Sequence, residues 1–235
     1  MELKDKNIII TGGSLGIGKQ TAISLHDKGA NVLVTGRSEE RLKSSMLPEK
    51  VNKMTFDIGN INDIEINAKK CLNFFDNRVD VLINNAGIGF RRNIDELTID
   101  DFMTIYNVNV FGLSLFTKEI VFKMKEAKYG TIVNIGSTAA LKGYSGGSIY
   151  SSSKFALRCL TQCWQSELRP FNIRVCQLNP SEVTTAFGSV KRIERDEEKN
   201  KLTPREIAHS VTSMLEMDDR GFINELNVWA TNPFN

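Results

Sequence analysis

The chain has 235 residues, of which 41% are hydrophobic and 25% charged, and its formal charge is +2. That balance is ordinary for a soluble protein and large enough for a full core; it gives no strong attraction to nucleic acid or anionic membrane, and no apolar run approaches the roughly 18 residues of a membrane span. Cys71, Cys159, Cys163 and Cys176 form no C-x-x-C pair and no ligand spacing with His26 or His209, so no metal is expected and the thiols read as buried groups of a reducing, cytoplasmic compartment.

Residues 7–18 read N-I-I-I-T-G-G-S-L-G-I-G. Ile8, Ile9 and Ile10 suit a strand buried on both faces, Thr11-Gly12-Gly13-Ser14 breaks it, and a helical pattern starts at Gly16. Gly29 then follows as a helix C′ glycine, and residues 31–35 form the next strand. The result is a βαβ unit whose turn has the glycine spacing G-x-x-x-G-x-G (Gly12, Gly16, Gly18). Such a turn brings phosphate to free N–H groups at a helix N-terminus, which points to a dinucleotide site.

Further along, residues 39–47 predict a short helix stopped before Pro48, 51–56 a strand ending at Asp57, and 60–77 a polar helix. Residues 79–83 are a fourth strand, closed by Asn84-Asn85-Ala86-Gly87. Residues 98–126 predict one long helix with Thr98 placed to cap it. A fifth strand (131–135), a helix (150–168) and a sixth strand (173–178) follow. Thr203-Pro204-Arg205-Glu206 joins a capping box to a proline at the first helical position, so a helix runs from there to about Met217. Residues 225–230 close a seventh strand. The alternation, without repeats or linkers, predicts one α/β domain over residues 1–235: a Rossmann-like, doubly wound, seven-stranded parallel sheet with helices on both faces.

In such a sheet ligands bind beyond the carboxyl ends of the strands. Tyr150 and Lys154 stand one turn apart on one helix face, and Ser137 follows the fifth strand. A phenol titrates near ~10, and a neighbouring ammonium should favour the phenolate and lower that value. After the second strand the chain reads Thr35-Gly36-Arg37-Ser38, with no carboxylate at the strand end. A guanidinium and a hydroxyl there suit the 2′-phosphate of NADP(H) over the bare ribose of NAD(H). Leu15 adds no second basic group from the glycine turn.

These motifs together resemble the short-chain dehydrogenase/reductase family across essentially the whole chain. Thr11–Gly18 is similar to its cofactor turn, Asn84–Gly87 to its NNAG motif, and Asn109 to its active-site asparagine. Ser137, Tyr150 and Lys154 match its catalytic serine, tyrosine and lysine, and Asn179–Thr185 its N-P-G-x-V-x-T stretch, with Ser181 where glycine is usual. The resemblance implies an oxidoreductase interconverting a carbonyl and a secondary alcohol by hydride transfer. It makes Tyr150 the proton donor, has Ser137 polarise the carbonyl, and has Lys154 hold the nicotinamide ribose while Asn109 positions a relay water. The phosphates would lie over Ser14, Leu15, Gly16 and Ile17 between Gly12 and Gly18, with Asp57 and Ile58 near the adenine. Asn84, Ala86 and Gly87 would line the cofactor, and Pro180, Val183 and Thr185 would hold the carboxamide end.

Thr11 and Asn85 read equally as turn-to-turn ties or as direct cofactor contacts. Phe90-Arg91-Arg92 reads as a solvated loop or a greeting for an anionic substrate, and Tyr144, Phe187 and Trp229 as packing or pocket walls. The charge run 191–201 is that of a surface loop, within the 181–203 stretch where the family carries its substrate lid. Apolar residues on more than one helix face (Phe111, Phe116, Phe122, Phe155, Leu160, Trp164) predict a homotetramer or homodimer. Two other functions fit the same motifs. One is a 3-oxoacyl-[acyl-carrier-protein] reductase, whose acidic partner would dock near Lys123, Lys125, Lys128 or Arg169. The other is a non-catalytic NADP(H)-binding regulator.

Overall fold

The computed structural model describes residues 1–188 and 191–234. Seven strands form one parallel sheet: β1 (Asn7–Thr11), β2 (Asn31–Gly36), β3 (Asn52–Thr55), β4 (Val81–Asn84), β5 (Gly130–Ile135), β6 (Ile173–Pro180) and β7 (Glu225–Val228). Their order is β3-β2-β1-β4-β5-β6-β7. The chain winds outward from β1 to β3, returns to β4 on the other side of β1, and winds outward again.

Strand β1 shows why this sequence takes this sheet. Ile8 and Ile10 point into one apolar cluster and Ile9 into the other, as the two-residue period of a strand requires. A strand covered on both faces must be apolar at successive positions. Helices α1 (Gly16–Asp27), α2 (Glu39–Lys43) and α7 (Pro204–Glu216) cover the first face through Ala22, Leu25, Leu42, Ile207 and Val211. On the second face, α3 (Ile64–Phe74) contributes Ala68 and Leu72, α5 (Leu113–Ala127) Phe116 and Ile120, and α6 (Ser148–Leu168) Trp164 and Leu168. Helix α4 (Ile99–Tyr106) packs beside α6.

The capping signals hold in detail. Glu206 Oε2 accepts from Thr203 N (2.7 Å) and from Thr203 Oγ1 (2.6 Å), with Pro204 as the first helical residue. At α4, Thr98 Oγ1 accepts from Asp101 N (3.1 Å) while Asp101 Oδ2 accepts from Thr98 N (3.2 Å).

Four expectations need correction. Residues 98–126 are not one helix: a π-helical stretch, Asn107–Gly112, separates α4 from α5. At its end a Cβ on Gly112 would stand 1.8 Å from the Ile58 carbonyl oxygen, so backbone meets backbone there. The helix begun at Glu39 ends at Lys43, where Ser45 Oγ turns back to donate to Leu42 O (2.7 Å) and Met46 takes φ +52°. The first turn of the 60–77 helix is 3₁₀, Ile61–Asp63, and the α-helix stops at Phe74. Lastly, Cys71 and Cys176 are buried but Cys159 and Cys163 are exposed, because they lie on the outward face of α6.

Candidate active site

All strand carboxyl ends meet along one edge, and the reversal between β1 and β4 leaves a crevice there. A cleft of about 890 Å³ opens at that edge, and Gly12, Ser14, Leu15, Gly16 and Ile17 line it. Gly12 has φ +71°, and a Cβ on it would lie 2.8 Å from Ala86 Cα, so the turns after β1 and β4 meet backbone to backbone. Thr11 and Asn85 make that join. Thr11 Oγ1 accepts from Asn85 N and Ala86 N, both at 3.1 Å, and Asn85 Nδ2 donates to Thr11 O (3.0 Å) and Gly12 O (2.9 Å).

Two residues expected at the cofactor lie elsewhere. Gly18 is packed beneath the turn, where a Cβ would stand 2.4 Å from both Gly12 O and Asn85 Nδ2. Asn84 is fully buried and donates to Thr117 Oγ1 and to Asn134 Oδ1, each at 2.9 Å. Asn134 is its register partner on β5 and donates in turn to Thr161 Oγ1 on α6 (2.8 Å). This dry polar ladder ties the two strands to the two helices that flank the site, while Ala86 and Gly87, beyond it, do line the cleft.

Ser137, Tyr150 and Lys154 come together at the end of β5 and the start of α6, all on the cleft wall. Ser137 takes its place through Asn179, whose Oδ1 accepts from Ser137 N (3.3 Å), and its Oγ accepts from Ala139 N (3.1 Å). The Tyr150 ring leans on Phe187, centroids 5.5 Å apart. Burial pushes the Tyr150 phenol up to about 12; the nearby Ser137 side chain opposes this and Tyr144 adds to it. Lys154 is buried, its Nζ 5.9 Å from the Tyr150 ring centroid, and donates to the Ile135 carbonyl (2.9 Å). Burial brings its ammonium down to about 8. The expected fall in the Tyr150 value is therefore reversed in this state. The lysine is satisfied by a β5 carbonyl, and the same dry surroundings disfavour charge on both groups.

Asn109 sits in the π-helical stretch behind this wall. Its Oδ1 accepts from Ile88 N (3.0 Å), and its Nδ2 donates to Ile88 O (2.9 Å) and Ser153 Oγ (3.1 Å). A Cβ on Gly87 would lie 3.5 Å from Asn109 Oδ1 and 3.7 Å from Lys154 Nζ, so both side chains border the same backbone segment. A π insertion re-aims a side chain without ending the helix, and here it faces Asn109 towards the loop after β4.

The stretch after β6 closes the cleft from the other side. Pro180, Ser181, Val183 and Thr185 line it, and Thr185 Cγ2 would lie 3.1 Å from a Cβ on Gly16. Ser181 keeps a negative φ, so this path needs no glycine; its Oγ accepts from Ala230 N (3.2 Å).

At the far end, Arg37, Ser38, Asp57 and Ile58 line the cleft. Ser38 Oγ is engaged as the cap of α2, accepting from Arg41 N (3.3 Å), and Asp57 Oδ1 accepts from Gly59 N (2.8 Å). Of the expected wall residues, Tyr144, Phe187 and Trp229 all reach the cleft. Arg91 does too, its guanidinium 5.5 Å from the Tyr144 ring centroid, whereas Arg92 turns to Asp101 (3.4 Å).

Several cleft residues escaped the sequence reading, Arg41 and Arg192 among them, and so did Glu194 on the glycine turn. Arg41 carried a usable signal, one helical turn after Arg37. Arg192 and Glu194 carried none, being members of a mixed charge run. In the structure that run folds over the cleft: Glu194 Oε1 accepts from Gly16 N at 2.8 Å. Arg195 pairs with Glu182 (2.9 Å), Lys201 with Glu182 (2.7 Å) and Arg205 with Glu197 (2.8 Å). Positions 189 and 190 of the expected lid lie outside the described residues.

Comparison with known proteins agrees with this geometry. The family model described as short chain dehydrogenase matches residues 6–196. An uncharacterized oxidoreductase of Thermotoga maritima is 34% identical over 229 residues, covering 96% of this chain and 88% of that protein. Among solved structures, an alcohol dehydrogenase of Thermococcus sibiricus complexed with 5-hydroxy-NADP superposes with a TM-score of 0.88 at 28% identity, covering 97% of each chain. A 3-ketoacyl-(acyl-carrier-protein) reductase of Brucella melitensis complexed with NADH gives 0.88 at 25% identity, over 99% of this chain and 100% of that one.

Proposed function

The chain belongs to the short-chain dehydrogenase family, and from that premise we propose that it is an NADP(H)-dependent oxidoreductase interconverting a carbonyl and a secondary alcohol, with Tyr150 as the acid/base. The observation that carries this is the meeting of Ser137, Tyr150 and Lys154 on one wall of the cleft. The cleft suits a dinucleotide. The glycine turn leaves no room for a Cβ at Gly12, and Gly16 N–H already holds a carboxylate oxygen, so the turn accepts anions.

When bound, the nicotinamide supplies or accepts the hydride. The protein's own part is to hold the carbonyl and handle the proton. Tyr150 keeps its proton at neutral pH and gives it to the substrate oxygen during reduction. Ser137 Oγ hydrogen-bonds the same oxygen and stabilises the charge developing on it. Lys154 binds the ribose hydroxyls; once there, its charge replaces part of the hydration that Tyr150 lacks. Asn109 is a positioning residue that holds the loop after β4 and the water path beside Lys154. Phe187, Tyr144 and Trp229 wall the substrate side, and residues 181–203 act as its lid.

Arg37, which makes no ion pair among the described residues, selects NADP(H) over NAD(H). Exposed Phe111, in the π-helical stretch, with Phe122 on α5 and Phe155 on α6, packs against a second copy in a homodimer or homotetramer. The carrier-protein reading has less support. Lys123, Lys125 and Lys128, at the end of α5, and Arg169, just past α6, precede β5 and β6, and so lie at the opposite edge of the sheet from Tyr150.

Assaying a panel of ketones, alcohols and acyl-carrier thioesters with each cofactor tests the reading. Turnover of simple ketones with NADPH is expected. Turnover of carrier thioesters alone would move the assignment to the acyl-carrier class, and binding without turnover of any of them would make the protein a regulator.

A further inference from the structure

Arg37, Arg41 and Arg192 line one cleft although they come from two distant parts of the chain. Arg37 and Arg41 follow β2; Arg192 belongs to the charge run 191–201. Among the described residues none of the three is paired with a carboxylate, whereas Arg195, three residues further on, is held by Glu182. Arg192 is also half-buried. That burial, and then the charges of Arg37 and Arg41, hold its guanidinium below the ordinary arginine range. Three unpaired like charges gathered at a partly dry site oppose the closed position of the segment unless an anion sits among them. A phosphate ester, with about two negative charges and three acceptor oxygens, answers that arrangement.

We infer that Arg192 is the third arm of the site for the cofactor's 2′-phosphate, so that the phosphate both selects NADP(H) and latches the 191–201 segment over the cleft; this rests on the NADP(H) reading above. The same segment shows why a latch is needed. Two residues past Arg192, the Glu194 carboxylate occupies Gly16 N–H, a donor of the turn that would hold cofactor phosphate. Glu194 must leave as the dinucleotide enters, which weakens binding of either cofactor equally. Arg192 restores closure only for the one that carries the extra phosphate.

The experiment measures Kd for NADPH and NADH by quenching of tryptophan fluorescence, Trp229 lying on the cleft, and follows tryptic cleavage of the 191–201 segment with each cofactor bound. Arg192→Ala should weaken NADPH by roughly ten-fold or more, as for the loss of one charge-assisted hydrogen-bonding group, and leave NADH unchanged. Arg192→Lys should recover part of the loss, because the charge remains and the fork does not. NADPH should protect the segment from trypsin better than NADH does. Glu194→Ala should tighten both cofactors by the same factor. If wild type prefers NADPH and Arg37→Ala abolishes that preference while Arg192→Ala keeps it, the latch is wrong and the cofactor assignment stands. If wild type binds both cofactors alike, both fall. An unchanged Kd for both cofactors in Glu194→Ala would overturn the competition at Gly16.

Discussion

The two ends of the cleft are built on opposite physical plans. At the Tyr150 end the groups are buried and held by the fold: Lys154 donates to the Ile135 carbonyl, Asn109 is tied to Ile88, and Asn84 lies in a ladder to Thr161. At the Arg37 end Arg37, Arg41 and Arg192 have no acidic partner among the described residues, and Arg37 stands in water. The first plan preorganises. Its polar groups sit in a low-dielectric wall held by sheet and helix, so geometry is set before any ligand arrives. The second plan waits for charge, and its strength comes from an anion the protein does not supply. Chemistry should therefore be lost by small changes at the first end, while selectivity should be lost at the second.

The sharpest test of that division removes one oxygen. Tyr150→Phe should lower kcat by at least ~10²-fold, since a positioned proton donor contributes that much, while Kd for NADPH moves little. A kcat near that of wild type would break the comparison at its stronger end. The corresponding change at the other end is Arg37→Ala, for which kcat/KM with NADPH should fall roughly ten-fold or more, with little change for NADH. A wild-type enzyme as efficient with NADH would show that the charged end does not select.

Lys154 offers a thermodynamic version of the same contrast. Its ammonium is held at about 8 against an ordinary 10.5, so the folded state gives up the proton before the unfolded chain does. The folded protein thus carries a charging penalty that is full below pH 8 and disappears as pH rises through 10.5. That difference corresponds to about 3 kcal/mol, offset by about 1 kcal/mol for the hydrogen bond to Ile135. Lys154→Met should lose turnover yet raise Tm by a few degrees at pH 7, and the gain should shrink towards pH 10. A Tm that falls at pH 7 would show the buried charge to be better compensated than its surroundings suggest.

Salt should give the smallest effect. Raising ionic strength should weaken NADPH binding more than NADH binding, because only exposed charges are screened, and should leave kcat at saturating cofactor nearly constant. Equal slopes for the two cofactors would remove the exposed charges from the account.

Much of this molecule was legible from residue order alone, for reasons that are local. The Ile8–Ile10 run, the break at Gly12, the Thr203/Glu206 box and the one-turn spacing of Tyr150 and Lys154 each express backbone sterics or a period of 2 or 3.6 residues, and such preferences act whatever the chain packs against. The stacking of strands into a parallel sheet with its crevice beside β1 follows from the same alternation. What only the tertiary structure decided depends on which distant atoms meet. Asn84 left the cleft because its β5 register partner is Asn134, and the long helix took a π insertion where Gly112 met the Ile58 carbonyl. Cys159 and Cys163 turned outward with one face of α6. The direction of the Tyr150 shift reversed because burial, which no spacing encodes, outweighs a neighbouring charge already satisfied by Ile135. Arg192 and Glu194 look alike to any reading of a charge run; the path of the chain back across the cleft set one beside Arg37 and Arg41 and the other on Gly16.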